Sequence, residues 1–281
     1  MQYILLLLVI ILVAAQSVLQ KQYNQKTELP KVFLFLSVTA FTAMLFFVLS
    51  SGGKLDFTSG VFWYSLAFAA SFLSALLGLF LSIKWGSMSI SMLVNSYSLV
   101  IPTLYGIVFL RESLSAIRVA GLVLLLLSLF LIADRTQKAT FSVKWIIALL
   151  FAFLGNGMCS TVQKAQQVAF HGGYKNELMI MAMLLCTVCL FILSRINHET
   201  LKGAGSCVKI GALNGLANGG VNLMMLILTG MIPNAILFPS VSAGGVVLGF
   251  VVARFVYKER LSPLQMGGYL IGTLSIVFLN L

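Results

Sequence analysis

The chain has 281 residues, of which 60% are hydrophobic and 9% are charged, and its mean hydropathy is +1.04. An ordinary soluble domain carries about 25% charged residues, and a globule of this size has too little interior to hide so much apolar surface from water. The net charge of +11 comes from basic residues at the ends of apolar runs, which is typical of membrane anchoring and not of nucleic-acid binding. The composition therefore predicts an all-α polytopic membrane protein and excludes a soluble enzyme.

Ten apolar stretches, each long enough for a transmembrane helix, follow one another along the chain. They are predicted at residues 2–20, 31–50, 60–83, 86–110, 115–133, 143–168, 177–195, 206–228, 233–257 and 263–280. The first stretch lacks a preceding basic region and is longer than the apolar core of a signal peptide, so we expect it to be a retained helix. Five of the 18 basic residues fall on the side of the termini and thirteen on the other side, so the positive-inside rule places both termini outside.

Two short motifs occur once in each half of the chain at nearly the same separation. Gln20-Lys21 near the end of the first span is matched by Gln163-Lys164 in the sixth, 143 residues later. The sequence RESLS at 111–115, after the fourth span, is matched by KERLS at 258–262, after the ninth, with the two glutamates 147 residues apart. These matches predict two five-helix repeats, at residues 1–134 and 140–281. An odd number of spans per repeat makes the two halves inverted across the membrane.

The repeated [RK]-E-x-L-S pattern, each time followed by an apolar helix with an early glycine, resembles the drug/metabolite transporter superfamily, and within it the ten-helix EamA-type transporters. The resemblance implies a helical bundle with a central cavity built mainly from helices 1–4 and 6–9, and alternating access between the two halves. It also implies termini in the cytoplasm, whereas the charge bias indicates termini outside, and both orientations stay open.

The charged residues of the repeated motif are expected to be structural. They are Arg111, Glu112, Lys258 and Glu259. A carboxylate at the start of a helix is favoured by the helix dipole and can accept hydrogen bonds from free N–H groups. The alternative is a direct part in transport. Lys164, at the end of the sixth span, is expected to extend to the membrane surface, and contact with an anionic group is the alternative.

Polar side chains inside the predicted spans are candidate substrate contacts, because such groups are costly in a bilayer unless they are used. In the eighth span, Asn214, Asn218 and Asn222 share one stripe. A neighbouring stripe of glycines, at 211, 215 and 219, predicts close packing against another helix, which would turn the amides towards a cavity. The alternative is that the amides only join helices.

Two sets of residues are therefore singled out. The candidate substrate-binding residues are Gln16, Gln20, Asn95, Tyr97, Asn156, Ser160, Gln163, Asn214, Asn218, Asn222, Ser240 and Ser242. The candidate hinges or kinks, where proline or glycine weakens helical hydrogen bonding, are Pro102, Pro239, Gly244 and Gly245.

No Asp or Glu lies deep in a predicted span, so the cavity should suit a neutral or zwitterionic solute. We expect a secondary transporter of a small metabolite such as an amino acid, and the alternative is an exporter of lipophilic drug-like compounds. ATP-binding loops, nucleophile elbows, metal clusters and paired carboxylates are missing, so we expect no enzyme, no cofactor and no metal, and give less weight to a lipid-acting membrane enzyme. The expected partners are the solute and the lipid bilayer, without nucleic acid, for a monomer or homodimer in a bacterial inner or plasma membrane.

Overall fold

A computed structural model describes residues 2–26, 31–85, 88–112, 115–132, 142–201, 203–252 and 262–280. Throughout these ranges the regular structure is helical and contains no strand, which confirms the all-α prediction. The helices are α1 (Gln2–Lys26), α2 (Val32–Ser50), α3 (Ser59–Trp85), α4 (Met88–Tyr97), α5 (Val100–Phe109), α6 (Ala116–Ile132), α7 (Val143–Ala169), α8 (Lys175–Ile196), α9 (Gly205–Leu228), α10 (Asn234–Val251) and α11 (Pro263–Asn280).

Six of these helices are long and apolar enough to cross a membrane, namely α1, α2, α3, α7, α8 and α9. Shorter apolar stretches lie at Ala116–Ile132, at Pro263–Leu279 and at Val94–Phe109, the last of which contains the end of α4 and all of α5. Many large apolar side chains on these helices are exposed, such as Leu49 at 80% and Trp63 at 65%. A helix surface of this kind needs a hydrocarbon environment, so the helices indicate a membrane protein.

The fourth predicted span is not one helix. It is divided into α4 and α5 by a break at Ser98 and Leu99. Proline lacks an N–H, and its ring clashes with the carbonyl group four residues earlier, which for Pro102 is that of Ser98. The Ser98 carbonyl instead accepts from the Ile101 N–H at 3.0 Å, in a tighter turn. The break therefore lies one turn before the predicted kink residue.

One compact unit contains Tyr3–Ala69 and Ala165–Gly230, and in it α2 packs against both α8 and α9. The glycine stripe of α9 faces α2 along this contact. A Cβ atom added to Gly215 would lie 2.5 Å from the Thr39 carbonyl oxygen, and one added to Gly211 would lie 3.1 Å from Val38. The packing role expected of these glycines is thus confirmed.

The amino end of α2 is capped by a residue distant in sequence. The Glu199 carboxylate accepts hydrogen bonds from the backbone N–H groups of Phe33, at 3.1 Å, and Leu34, at 2.7 Å. The first N–H groups of a helix have no partner within it, and a carboxylate there also meets the positive end of the helix dipole. Glu199 therefore joins the end of α8 to the beginning of α2.

The other compact unit contains Ala70–Lys164 and Met231–Leu281. In it α6 packs along α11, and α10 contacts α5, α6 and α11. The second part of α3 crosses α7 closely enough that a Cβ added to Gly78 would lie 2.8 Å from the Ala148 carbonyl oxygen. Each compact unit draws on both predicted repeats, so the units are not the repeats, and the boundaries 1–134 and 140–281 stay a prediction.

Candidate functional site

A polar cavity of about 240 Å³ lies within the second compact unit, among α4, α5, α7 and α10. It is lined by Asn95, Ser96, Ser98, Leu99, Pro102, Asn156, Gly157, Ser160, Phe238, Val241 and Ser242. At roughly 30 Å³ per water, the cavity has room for about eight water molecules. Among the described residues that line it, amides and hydroxyls supply the polar groups and no side chain is charged.

The helix break between α4 and α5 forms one wall of this cavity. The Asn156 side-chain amide, from α7, donates to the Ser98 hydroxyl at 2.6 Å and lies 3.4 Å from the Asn95 carbonyl oxygen. Backbone that leaves the helical pattern within a membrane needs such partners or a water-filled cavity. Here Asn156 supplies the partner and the cavity adjoins the same turn.

Close approach of α7 to its neighbours α3 and α5 depends on small residues. A Cβ added to Gly157 would lie 2.7 Å from the Ile101 Cβ of α5. One added to Gly155 would lie 2.7 Å from the Ser71 carbonyl oxygen of α3. Asn156 lies between these two contacts, so its position is set on both sides by packing.

Five of the sequence-predicted residues meet at this cavity. They are Asn95, Pro102, Asn156, Ser160 and Ser242. Ser96 and Ser98 also line the cavity but were not predicted. They belong to the same polar run as Asn95, so that run could have identified them. The remaining ones are Leu99, Gly157, Phe238 and Val241, and in an apolar span such residues look the same whether they face lipid or a cavity.

Other candidates in this unit lie outside the lining. The Tyr97 hydroxyl donates to the Leu126 carbonyl oxygen of α6 at 2.9 Å, so it joins α4 to α6. Gln163 and Ser240 are buried, at 4% and 1% exposure. α10 runs without a break from Asn234 to Val251 through three candidate hinge residues, which are Pro239, Gly244 and Gly245.

The remaining substrate candidates belong to the first compact unit. Gln20 borders a smaller cavity of about 110 Å³, together with Tyr23 and Phe35. The Gln16 Nε2 atom is buried without a hydrogen-bond partner among the described residues. The asparagine stripe of α9 makes hydrogen bonds within the protein. Asn214 donates to the Thr39 hydroxyl at 3.3 Å, and the Asn222 amide donates to the Asn218 side-chain and backbone oxygens at 3.1 and 2.9 Å.

Glu112 of the repeated motif caps a helix, but this helix is α10 and not the one that follows the motif. Its Oε2 atom accepts from the Ala235 N–H at 3.0 Å, and its Oε1 atom lies 3.7 Å from the Lys164 Nζ atom. Both charged side chains are about nine-tenths buried, with 12% and 11% exposure. Arg111 is exposed, with a positive φ of 55°. Lys258 and Glu259 lie outside the described residues.

No protein-family model matches the sequence. A protein of Haemophilus influenzae, described as an uncharacterized protein, is 28% identical over 189 residues, covering 64% of this chain and 62% of that protein. The chain thus spans less than two thirds of the length of this relative. A solved structure, described as the crystal structure of a protein, matches with a TM-score of 0.78 and 15% identity, covering 99% of this chain and 98% of that chain. The two chains share a fold along almost their whole length.

Proposed function

We propose that this protein is a secondary transporter that moves a small neutral or zwitterionic metabolite, such as an amino acid, across a membrane by alternating access. The observation that carries the proposal is the uncharged polar cavity beside a broken helix. The Asn156 side-chain oxygen and the Ser160 and Ser242 hydroxyls offer hydrogen bonds that can replace the hydration of a polar solute. Interrupted helices at a polar cavity are a recurrent feature of transporter substrate sites.

The proposal includes ten membrane spans arranged as two inverted five-helix repeats. In this proposal α4 and α5 together form one span, so that the eleven described helices correspond to ten spans. The repeated [RK]-E-x-L-S motif supports the duplication, and the resemblance to EamA-type members of the drug/metabolite transporter superfamily supports the alternating-access mechanism. A bacterial inner membrane, or plasma membrane, is the location proposed with it.

Export of lipophilic drug-like compounds is less well supported. Pockets for drug-sized ligands measure about 300–1,000 Å³. This cavity measures about 240 Å³ and has two asparagines and four serines among its eleven lining residues. The size and the amide content both favour a small hydrophilic solute.

Ligand-induced thermal stabilisation tests the proposal directly. A solute that binds only the folded protein raises its free energy of unfolding, so a screen of amino acids and other small neutral metabolites in detergent should yield a compound that raises the Tm. Ser160→Phe fills the cavity with a benzyl group and should abolish that rise. Met158→Phe, on the exposed face of the same helix, is the matched control and should retain it.

Uptake into proteoliposomes then separates transport from binding. The stabilising solute should accumulate in vesicles containing the native protein or Met158→Phe, and not in those containing Ser160→Phe. Equal uptake by Ser160→Phe and the native protein would show that the solute does not use this cavity. If no small solute stabilises the native protein and lipophilic compounds do, the drug-export alternative replaces the proposal.

A further inference from the structure

The cavity and the Glu112 ion pair are built on the same three elements. α5 contributes Pro102 to the cavity and Gly106, one turn later, to the contact with Glu112. α7 contributes Ser160 to the cavity and Lys164, again one turn later, to the ion pair. α10 contributes Ala235 to the contact and Phe238 to the cavity. The ion pair therefore lies about one helical turn beyond one end of the cavity.

The Glu112 carboxylate joins these elements through charge-assisted contacts. It accepts from the Ala235 N–H at 3.0 Å and faces the Lys164 ammonium at 3.7 Å. Hydrogen bonds to an ionised carboxylate are stronger than neutral ones, and the amino end of α10 adds the favourable end of the helix dipole. The carboxylate fits because residue 106 is glycine, since a Cβ there would lie 2.9 Å from the Glu112 Cδ. A charged contact of this kind holds α5, α7 and α10 together.

Asn234, beside this contact, has an unsatisfied side chain in the present arrangement. It is fully buried at the first position of α10, and neither its side-chain oxygen nor its nitrogen has a hydrogen-bond partner among the described residues. A buried amide without hydrogen-bond partners lowers the free energy of unfolding, and such groups in a native structure need a specific explanation. An arrangement in which the amino end of α10 moves away from Glu112 would give the Asn234 amide access to water or to new partners.

We propose that Glu112, Lys164 and the amino end of α10 form a gate that closes one end of the cavity and opens during transport. The inference rests on the transport function proposed above and names the residues that control access to its site. Opening separates α10 from the carboxylate and hydrates the ion pair. Glu112 and Lys164 are then gating residues, and they need not touch the solute.

Thiol accessibility tests the gate without any knowledge of the solute. The four native cysteines are first replaced by alanine, and Ser160→Cys is introduced as a reporter inside the cavity. Ser115→Cys, exposed just beyond Glu112, shows which vesicle orientation presents the gate side to a membrane-impermeant maleimide. The labelling rate of Ser160→Cys from that side is then measured in the Glu112→Gln and Lys164→Met backgrounds, with Lys144→Met, an exposed lysine near the start of α7, as the matched control.

Removing either charge should favour the open arrangement, and labelling should rise by about fivefold or more, as expected for a shift of about 1 kcal/mol or more. Lys144→Met should leave the rate unchanged. Two gate variants are used because either one alone can fail to fold, which size-exclusion chromatography would reveal. An unchanged rate in a folded gate variant, or fast labelling from the gate side before any gate mutation, would overturn the gate. Because no solute is used, either of these labelling outcomes would overturn the gate and leave the transport proposal standing. If instead no solute bound to the cavity, the transport proposal would fail and the labelling result would still hold.

Discussion

Replacing Gly155 by alanine tests the packing that positions Asn156. The added Cβ would lie 2.7 Å from the Ser71 carbonyl oxygen and would also meet the backbone nitrogen of Ala75. Both obstructing atoms belong to the backbone of α3, so a side-chain rotation cannot make room. The two helices must move apart, or α7 must shift along its axis and displace Asn156 from the helix break.

The size of the effect follows from the distances. Ordinary van der Waals contact begins at 3.4 Å, so the Cβ is about 0.7 Å too close to the Ser71 oxygen. If α3 and α7 move apart by about 0.5–1 Å to admit the Cβ, each of their other dispersion contacts loses about a quarter to a half of its energy. Overpacking of this kind costs about 1–3 kcal/mol. Alanine recovers up to about 1 kcal/mol through its higher helix propensity. Because two backbone atoms obstruct the Cβ, the cost lies in the upper part of that range, at about 2–3 kcal/mol. With the gain subtracted, the free energy of unfolding should fall by about 1–2 kcal/mol.

Thermal unfolding in detergent, followed by tryptophan fluorescence, measures this change. A loss of 1–2 kcal/mol should lower the Tm by about 2–8 °C. Gly245→Ala is the matched control, because, outside its own stretch of helix, no atom of the described residues lies within 4 Å of the added Cβ, which leaves the propensity gain. Its Tm should stay constant or rise. If Gly155→Ala is as stable as Gly245→Ala, the close crossing of α3 and α7 is wrong.

Two further predictions concern the first compact unit. Glu199→Ala removes the acceptor of the Phe33 and Leu34 N–H groups. The free energy of unfolding should fall by about 1–2 kcal/mol, which thermal unfolding would show as a lower Tm. An unchanged Tm would contradict the capping role. Burial raises the pKa of Tyr23 above its ordinary value, so the stability that its neutral form contributes is complete below about pH 10 and is lost as the pH rises further. Between about pH 8 and 11, the free energy of unfolding should fall less for Tyr23→Phe than for the native protein. An equal fall in both would contradict the effect of burial on the pKa of Tyr23.

Composition and polarity made part of this molecule predictable. Helices were expected because so apolar a chain needs internally bonded backbone in a membrane. Asn95, Asn156 and Ser160 were expected at a cavity because polar groups within spans are costly elsewhere. Leu99 and Phe238 escaped prediction, since an apolar side chain at a cavity wall and one facing lipid give the same sequence pattern.

The partners of charged residues were less predictable. Glu112 was expected to cap a helix, and it does, but the N–H group that it meets is 123 residues away along the chain. Trp145 lies near the start of α7, where tryptophan side chains are often interfacial, yet it is 1% exposed and donates to the Ser91 hydroxyl at 3.3 Å. Both outcomes depend on which helices become neighbours, and single-chain periodicity does not contain that information.

The cap on α2 constrains how the chain assembles during synthesis. Glu199 follows Leu34 by 165 residues, so at translation rates of about 5–20 residues per second roughly 8–33 s pass before the carboxylate can reach its N–H groups. Until then, water must hydrate the amino end of α2, which keeps that end at the bilayer surface while the intervening helices enter. The final docking of α2 is therefore a late event, and ribosome-bound chains that stop before Glu199 should leave this segment open to proteolysis.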